Sequence, residues 1–362
     1  MHTFNYLFLK DYQVNSVLLN RISNLERLKE KTIGIEHEDP NLTSAMERRA
    51  IIMSVADSNA IEGIYTSEER IAGLVSGKTA PRGHDEEEII GYRDALRYIH
   101  ANHKKINLDK ETLLEIYHIL MSHTGTEDLG FKTRDNVIAE RDAKGDLIML
   151  HRTVPADETE WCIDQLLGAF WEARNDLEIN KLLLIPCFVM DFLRIHPFID
   201  GNGRMSRLLT TLLLYQEGYD IGRFVSMESK INSSKDLYYD SLAQSEEGWW
   251  DNECDYNPFI SYFLDQLFLC YRELDLSISD SFKSRRPSGR IDEYLRICIL
   301  PVSKKELCNM FPEISETTVE RTLKRLLDSG IIETIGSSRS TRYIGKKQKD
   351  CLPAPKGGKY YV

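Results

Sequence analysis

The chain has 362 residues, 42% of them hydrophobic and 28% charged, a composition typical of a globular protein with a large domain and a smaller one. No apolar run approaches the roughly 20 residues needed to cross a bilayer, and residues 1–6 lack the features of a signal peptide, so we expect no membrane contact. The seven cysteines are scattered without a CxxC pair, which argues against a disulfide framework or a zinc site and favours a cytoplasmic protein.

The charge is unevenly distributed along the chain. Residues 283–349 hold 15 Lys and Arg against 8 Asp and Glu, a net charge of +7. The whole chain has a net charge of −11, so the residues outside that segment have −18. An acidic body joined to a basic C-terminal segment predicts two units with different partners.

Most of the first 280 residues show helical patterns, which predicts a mainly α fold. A helical stretch begins near Thr43 and ends at residues 58–63, which read Ser-Asn-Ala-Ile-Glu-Gly. Asp109 is placed to cap another helix, whose apolar stripe extends to Leu120. Residues 181–195 are apolar on most sides, which predicts a central, buried helix.

One segment departs from the helical pattern. Residues 136–140 and 147–150 are strand-like and flank a polar turn that contains Gly145, so we predict a β-hairpin. On its residues alone, this hairpin is as consistent with an exposed decoration as with a functional element.

The segment that follows the central apolar helix carries the most chemistry. Residues 196–207 read His-Pro-Phe-Ile-Asp-Gly-Asn-Gly-Arg-Met-Ser-Arg. Pro197 disfavours helical geometry at His196, so the helix should end there and present the imidazole at its terminus. Asp200 adds a carboxylate four residues later.

The second half of this segment has the features of an anion site. Gly201 and Gly203 permit a tight turn whose backbone N–H groups can converge on an anion. The residues after Gly203 are helical in pattern, so the turn lies at the positive end of a helix. Arg204 and Arg207 are three residues apart and therefore neighbours on one helical face.

This segment resembles the signature of Fic-domain proteins, HPFx[D/E]GNGRxxR, at every specified position. The resemblance implies a Fic-type helical domain at residues 106–280, preceded by an N-terminal helical region at residues 1–105. It also implies a protein adenylyltransferase, which transfers AMP from ATP to a Ser, Thr or Tyr hydroxyl of a target protein, the chain itself included. In that activity His196 would be the general base and Asp200 would hold Mg²⁺ or Mn²⁺.

The resemblance extends to the nucleotide and target sites. Gly201, Asn202 and Gly203 would cradle the phosphates, and Arg204 with Arg207 would bind the β- and γ-phosphates. Adenine needs an apolar or aromatic wall, for which we choose Tyr239. The predicted hairpin resembles the flap that docks the target by strand addition, which assigns this role to Val137 and Ile138.

Residues 58–63 resemble the inhibitory motif of the same family, [S/T]xxxE[G/N], in the arrangement where the motif precedes the signature. Ser58, Glu62 and Gly63 occupy its specified positions. A carboxylate that reaches Arg207 would form a charge-assisted pair and remove the arginine from the γ-phosphate. The resemblance therefore implies an autoinhibited enzyme.

Two alternatives stay open at this point. The same residues could serve the reverse reaction, in which Glu62 positions a water that removes AMP from a modified side chain. A different class of protein, a DNA-binding regulator, would use the C-terminal segment instead.

The C-terminal segment predicts a small separate domain. Residues 281–289 are polar and basic and are interpreted as a linker. Three short helical patterns and two strand-like segments follow at residues 290–345 and resemble a winged helix-turn-helix, with a tail at residues 346–362. Glu316 and Glu320 lie where a recognition helix would read bases, so we favour protein contact and a homodimer over DNA binding.

Overall fold

The computed structural model describes residues 2–34, 40–141, 147–283, 287–336, 341–346 and 360–361, and it is built mainly of α-helices. The helices of the N-terminal part are α1 (Ser16–Thr32), α2 (Pro40–Ile61), α3 (Glu68–Val75), α4 (His84–Asn102) and α5 (Lys110–Met121). Those of the central part are α6 (Ala156–Asn175), α7 (Lys181–Ile195), α8 (Asn202–Gln216), α9 (Met227–Ser233), α10 (Lys235–Glu246) and α11 (Asn257–Lys283). The C-terminal part has α12 (Pro287–Ile297), α13 (Lys304–Met310) and α14 (Glu316–Asp328). Within these ranges, no helix has the length and apolar character needed to span a membrane.

Helix α7 lies at the centre of the fold, as its composition predicted. The Asn180 side chain caps it by accepting a hydrogen bond from the Leu182 N–H, and every residue from Leu182 to Ile195 is buried. The helix packs against α6, α8 and α11. Because it is held on several sides, the residue at its C-terminal end has a fixed position.

A buried carboxylate on α7 ties distant segments to this helix. Asp191 is fully buried and accepts hydrogen bonds from the Tyr6 hydroxyl (2.6 Å), the Trp249 indole N–H (2.7 Å) and the Tyr256 hydroxyl (3.0 Å). Burial raises the pKa of Asp191. The network joins the N-terminal segment and residues 249–256 to the helix that ends at the candidate site.

The predicted hairpin is present between α5 and α6. Strand β1 (Val137–Arg141) pairs antiparallel with β2 (Leu147–Arg152), with a register shift between Glu140 and Arg141. The other edge of β1 pairs with β5 (Tyr360–Tyr361), which gives the strand order β2-β1-β5. The predicted turn, including Gly145, lies outside the described residues.

The C-terminal part contains the three helices and two strands expected from its sequence pattern. Helix α11 continues to Lys283 and α12 already begins at Pro287, so helix ends occupy most of residues 281–289. Helix α13 begins with a capping box, in which the Ser303 and Glu306 side chains each accept a hydrogen bond from the other's backbone N–H. After α14, strands β3 (Ile332–Ile335) and β4 (Arg342–Gly345) form a separate antiparallel pair.

Candidate active site

The site begins where α7 ends. His196 has φ +52° and ψ +61°, a left-handed conformation that is uncommon for residues other than glycine. Its N–H still bonds the Phe192 carbonyl at 3.0 Å, so His196 caps the helix before Pro197 turns the chain away. This geometry agrees with the prediction that Pro197 would end the helix at the histidine.

The His196 imidazole is uncharged and has one ring nitrogen with a free lone pair. Burial lowers the pKa of His196 to about 4, so the ring is neutral at pH 7. The His196 Nδ1 atom lies 3.2 Å from the Leu193 carbonyl, which can only accept a hydrogen bond. The proton therefore belongs on Nδ1, and Nε2 keeps its lone pair.

The loop after His196 is closed by an asparagine. The Asn202 side chain accepts a hydrogen bond from the Phe198 N–H (2.9 Å) and donates one to the Phe198 carbonyl (2.8 Å). The Phe198 ring stacks on Tyr117, with 3.8 Å between centroids, and is fully buried. Both polar atoms of the Asn202 side chain thus bond the Phe198 backbone, and the Asn202 backbone N–H is available for a phosphate.

The start of α8 provides the backbone donors. Gly201 is the N-cap of α8 with φ +80°, and its carbonyl accepts from the Met205 N–H at 2.8 Å. The N–H groups of the residues between them have no partner within the helix and lie at the positive end of its dipole. Asn202 and Gly203 therefore lie where backbone amides can bind an anion, which is the position that the sequence predicted.

Arg207 is held by Ser58 and Glu62, two residues of the predicted inhibitory motif. Its Nε donates to Ser58 Oγ (2.8 Å), and one Nη donates to the Ser58 carbonyl (3.0 Å) and to Glu62 Oε1 (2.6 Å). Burial is the largest single influence and would lower the pKa of Arg207, but the charge and hydrogen bond of Glu62, together with the nearby Tyr238 and Tyr92, outweigh burial and raise this pKa. A Cβ at Gly203 would lie 2.2 Å from Glu62 Oε1, so the glycine makes room for this contact.

The third specified residue of the inhibitory motif, Gly63, allows the chain to turn after α2. Gly63 follows α2 with φ +86°, and its N–H bonds the Ala60 carbonyl at 3.1 Å. A glycine at this position allows the chain to turn directly after Glu62.

Arg204 is held by a carboxylate that the sequence analysis did not identify. Its guanidinium pairs with Glu88 of α4 and lies 3.1 Å from Asp200 Oδ2. Burial raises the pKa of Glu88, against the attraction of Arg204. No motif marks Glu88, because its role arises from the packing of α4 against α8.

These residues surround one cavity of about 460 Å³. His196, Asp200 and the turn that opens α8 form one side, and Glu62 and Arg207 form another. Tyr239 lies on the wall together with Tyr238, and both rings are buried. Apolar residues complete the wall: Ile64, Leu193, Ile199, Leu242 and Ala243.

The hairpin reaches the rim of this cavity. Val137 lines the cavity and is about half exposed, whereas only the backbone of Ile138 is described, paired with His151. The side chain of Ile138 lies outside the described residues. The placement of Val137 is the one expected for a strand that borders the site.

A buried lysine fixes the base of the hairpin to the catalytic loop. Lys132 Nζ donates to Asn136 Oδ1 (2.8 Å), to Thr153 Oγ1 (3.1 Å) and to the Ile195 carbonyl (3.1 Å). Burial lowers the pKa of Lys132 to about 8. Sequence reasoning missed this residue, because a lone lysine before a hairpin carries no recognisable signal.

The site has a carboxylate suited to a divalent cation that is bound together with a nucleotide. The Asp200 side chain is 64% exposed at the cavity, and a carboxylate oxygen is a ligand that Mg²⁺ prefers. Among the described residues, no cluster of three or more ligating side chains occurs. Asp200 therefore fits a cation that takes its other ligands from phosphates and water, which is usual for Mg²⁺.

The fold is that of Fic proteins. A Fic family protein from Desulfovibrio desulfuricans G20 superposes with a TM-score of 0.61 at 20% identity, over 94% of this chain and 98% of that one. A Fic domain-containing signalling protein from Bacteroides thetaiotaomicron superposes with a TM-score of 0.58 at 20% identity, over 70% of this chain and 95% of that one.

The sequence comparison agrees with the fold. Residues 107–214 match the model of the Fic/DOC family, so the chain contains a Fic domain. A protein adenylyltransferase Fic from Culex quinquefasciatus is 26% identical over 253 residues, which cover 68% of this chain and 45% of that protein. The chain thus spans about half the length of the curated relatives it matches.

Proposed function

We propose that this protein is an autoinhibited protein adenylyltransferase, which transfers AMP from ATP to a hydroxyl side chain of a target protein. The observation that carries the proposal is a single cavity that contains a neutral histidine, the amides at the start of α8 and two arginines. The names of the relatives in Culex and Drosophila support the same activity.

The proposed reaction is an in-line displacement at the α-phosphorus. His196 Nε2 takes the proton of the target hydroxyl as its oxygen forms a bond to the α-phosphorus, and the bond to the β-phosphate oxygen breaks. Pyrophosphate leaves, and its charge is matched by the α8 amides, Arg204 and Arg207. A Mg²⁺ ion held by Asp200 would neutralise phosphate charge when bound.

Glu62 would restrain this reaction by occupying Arg207. The guanidinium makes three hydrogen bonds to Ser58 and Glu62, so a γ-phosphate has to displace the carboxylate before it can bind there. A nucleotide bound without this contact would present its α-phosphorus out of line, and a misplacement of about 1 Å can cost roughly 10²-fold in rate.

The target would dock along the hairpin, and the chain itself is one candidate. The β1 strand has an edge that pairs with Tyr360–Tyr361 of the same chain. A peptide that adds to a sheet edge uses the same backbone pairing. Self-modification is therefore part of the proposal.

The experiment compares wild type, Glu62→Gly and Glu62→Gly/His196→Ala, each incubated with ATP labelled on the α-phosphate. We expect stronger labelling of Glu62→Gly than of wild type and none of the double variant, with an AMP adduct in the mass spectrum. Equal labelling by wild type and Glu62→Gly would refute autoinhibition.

The reverse reaction is tested with the product of that experiment. Modified Glu62→Gly protein, freed of ATP, is incubated with fresh wild type and with a Glu62→Gln variant. Loss of AMP with wild type alone would show that Glu62 serves removal rather than restraint of transfer.

DNA binding stays the weaker candidate for the C-terminal part. Two arginines that could contact DNA phosphates form ion pairs within the protein, since Arg325 pairs with Asp292 and Arg342 with Glu306. Glu316 and Glu320 are at the start of α14 and pair with the Lys304 Nζ. A gel shift at several salt concentrations would measure the affinity of the protein for DNA.

A further inference from the structure

A second cavity lies between α2 and the C-terminal part and shares Ile64 with the lining of the candidate active site. Its volume of about 550 Å³ exceeds that of the candidate active site and is in the range of small-molecule pockets. One wall is a face of α2 that includes Ile52, Met53 and Ala60. The opposite wall is formed by the end of α12 and by β4.

The lining combines apolar walls with positive charge. Arg49, Arg296 and Lys346 contribute to it, and no aspartate or glutamate does. Arg296 and Lys346 are exposed, and neither has an ion pair with any described residue. The rest of the chain has a strong negative charge, so a local group of three cations without acids indicates an anionic partner.

We propose that this cavity binds a small amphipathic anion. The apolar part of the anion would lie against the apolar walls, and its carboxylate or phosphate would lie beside Arg49, Arg296 and Lys346. The volume, the apolar walls and the three cations at one cavity carry the proposal. Medium-length carboxylates are the simplest ligands of this chemistry, and dodecanoate is the probe that we choose.

The position of the cavity links it to the candidate active site. Ala60 lines the cavity. Ser58 and Glu62, which hold Arg207, are two residues before and two residues after Ala60 in the sequence. A ligand that binds this arrangement stabilises it relative to others. The bound anion therefore favours the Glu62–Arg207 pair, and this coupling rests on the proposed transferase function.

Cys298 provides a direct readout of occupancy that does not depend on activity. It is half-buried and lines the cavity, whereas Cys308, also half-buried and in the same part of the chain, does not. We expect dodecanoate at ten times its Kd to slow alkylation of Cys298 by N-ethylmaleimide about tenfold, with no change at Cys308. Dodecyltrimethylammonium, which has the same chain and the opposite charge, should not protect Cys298.

Charge reversal tests the polar half of the proposal. The variant Arg296→Glu/Lys346→Glu should lose the protection, while the matched control Lys305→Glu/Lys324→Glu, with the same charge change on exposed residues away from the cavity, should keep it. Equal protection in both variants, or protection by the cationic probe, would overturn the proposal. Circular dichroism melts of both variants verify that each is folded.

Two further arms separate the remaining outcomes. If the segment between Lys346 and Tyr360 filled the cavity, Cys298 would be protected without ligand in the full chain and would react rapidly in a variant that ends at Lys346, which would also overturn the proposal. Coupling predicts that dodecanoate reduces labelling by wild type but not by Glu62→Gly. If dodecanoate protects Cys298 but leaves wild-type labelling unchanged, the link between the cavity and the Glu62–Arg207 pair is wrong and the anion site stands. If Glu62→Gly is not labelled at all, the proposed transferase function is wrong.

Discussion

The Glu62–Arg207 pair gives the sharpest prediction, because charge and shape can be separated by replacing Glu62 with glutamine. Glutamine keeps the size of the side chain and an oxygen that can accept from the Arg207 Nη atom, which lies 2.6 Å from Glu62 Oε1. It removes the negative charge. If charge competition restrains the enzyme, Glu62→Gln should fall between wild type and Glu62→Gly in activity.

The expected size of the effect follows from hydrogen-bond energetics. A hydrogen bond between charged groups contributes about 1.5–3 kcal/mol and a neutral one about 0.5–1.5 kcal/mol. The Arg207 side chain is only 4% exposed and that of Glu62 22%, so solvent screens the pair weakly. A loss of about 1–1.5 kcal/mol in Glu62→Gln corresponds to roughly a 5- to 13-fold rise in labelling rate, and Glu62→Gly should exceed it.

The assay measures initial rates of AMP transfer from α-labelled ATP at low nucleotide concentration, where competition for Arg207 has its full effect. Glu69→Gln is the matched control, since Glu69 is exposed on α3 and its substitution makes the same change in net charge. Equal rates for wild type and Glu62→Gln would refute the charge argument and favour a purely steric block.

Three other predictions follow from the same geometry. The pKa of His196 is about 4. The labelling rate of Glu62→Gly should therefore stay flat from pH 8 to pH 5 and fall near pH 4, where the imidazole gains a proton. A midpoint near pH 6.5 would contradict the buried position of the imidazole. Asn202→Ala should lower the free energy of unfolding by about 1–3 kcal/mol, measured by urea denaturation, because it leaves the buried Phe198 N–H without a partner, while the Phe198 carbonyl keeps its hydrogen bond from Asn136 Nδ2. A variant that ends before Tyr360 should modify an added peptide faster than the full chain does, because the β1 edge becomes free, and an unchanged rate would argue against docking at that edge.

The sequence was most informative where function is carried by consecutive residues. The helix end at His196, the left-handed Gly201 and the helix that starts beside it follow from local backbone preferences, so they were predictable without a structure. Glu62 was found through its motif, and its Oε1 atom lies 2.6 Å from an Arg207 Nη atom. Local chemistry accounts for these successes.

The sequence was least informative where function depends on contacts between distant segments. Glu88 reaches Arg204, and Lys132 reaches the Ile195 carbonyl, only because separate elements pack together. Asn202 showed a related limit, since its position in the motif suggested a phosphate ligand while its side chain closes the loop onto Phe198.

The left-handed backbone of His196 has a practical consequence for work with this protein. A non-glycine residue in this conformation carries a strain of roughly 1 kcal/mol, which glycine and asparagine largely avoid. The presence of histidine, rather than glycine or asparagine, at position 196 therefore lowers the stability of the fold. His196→Asn should melt at or above the temperature of the parent while lacking the base, and would serve as an inactive reference whose defect cannot be attributed to misfolding.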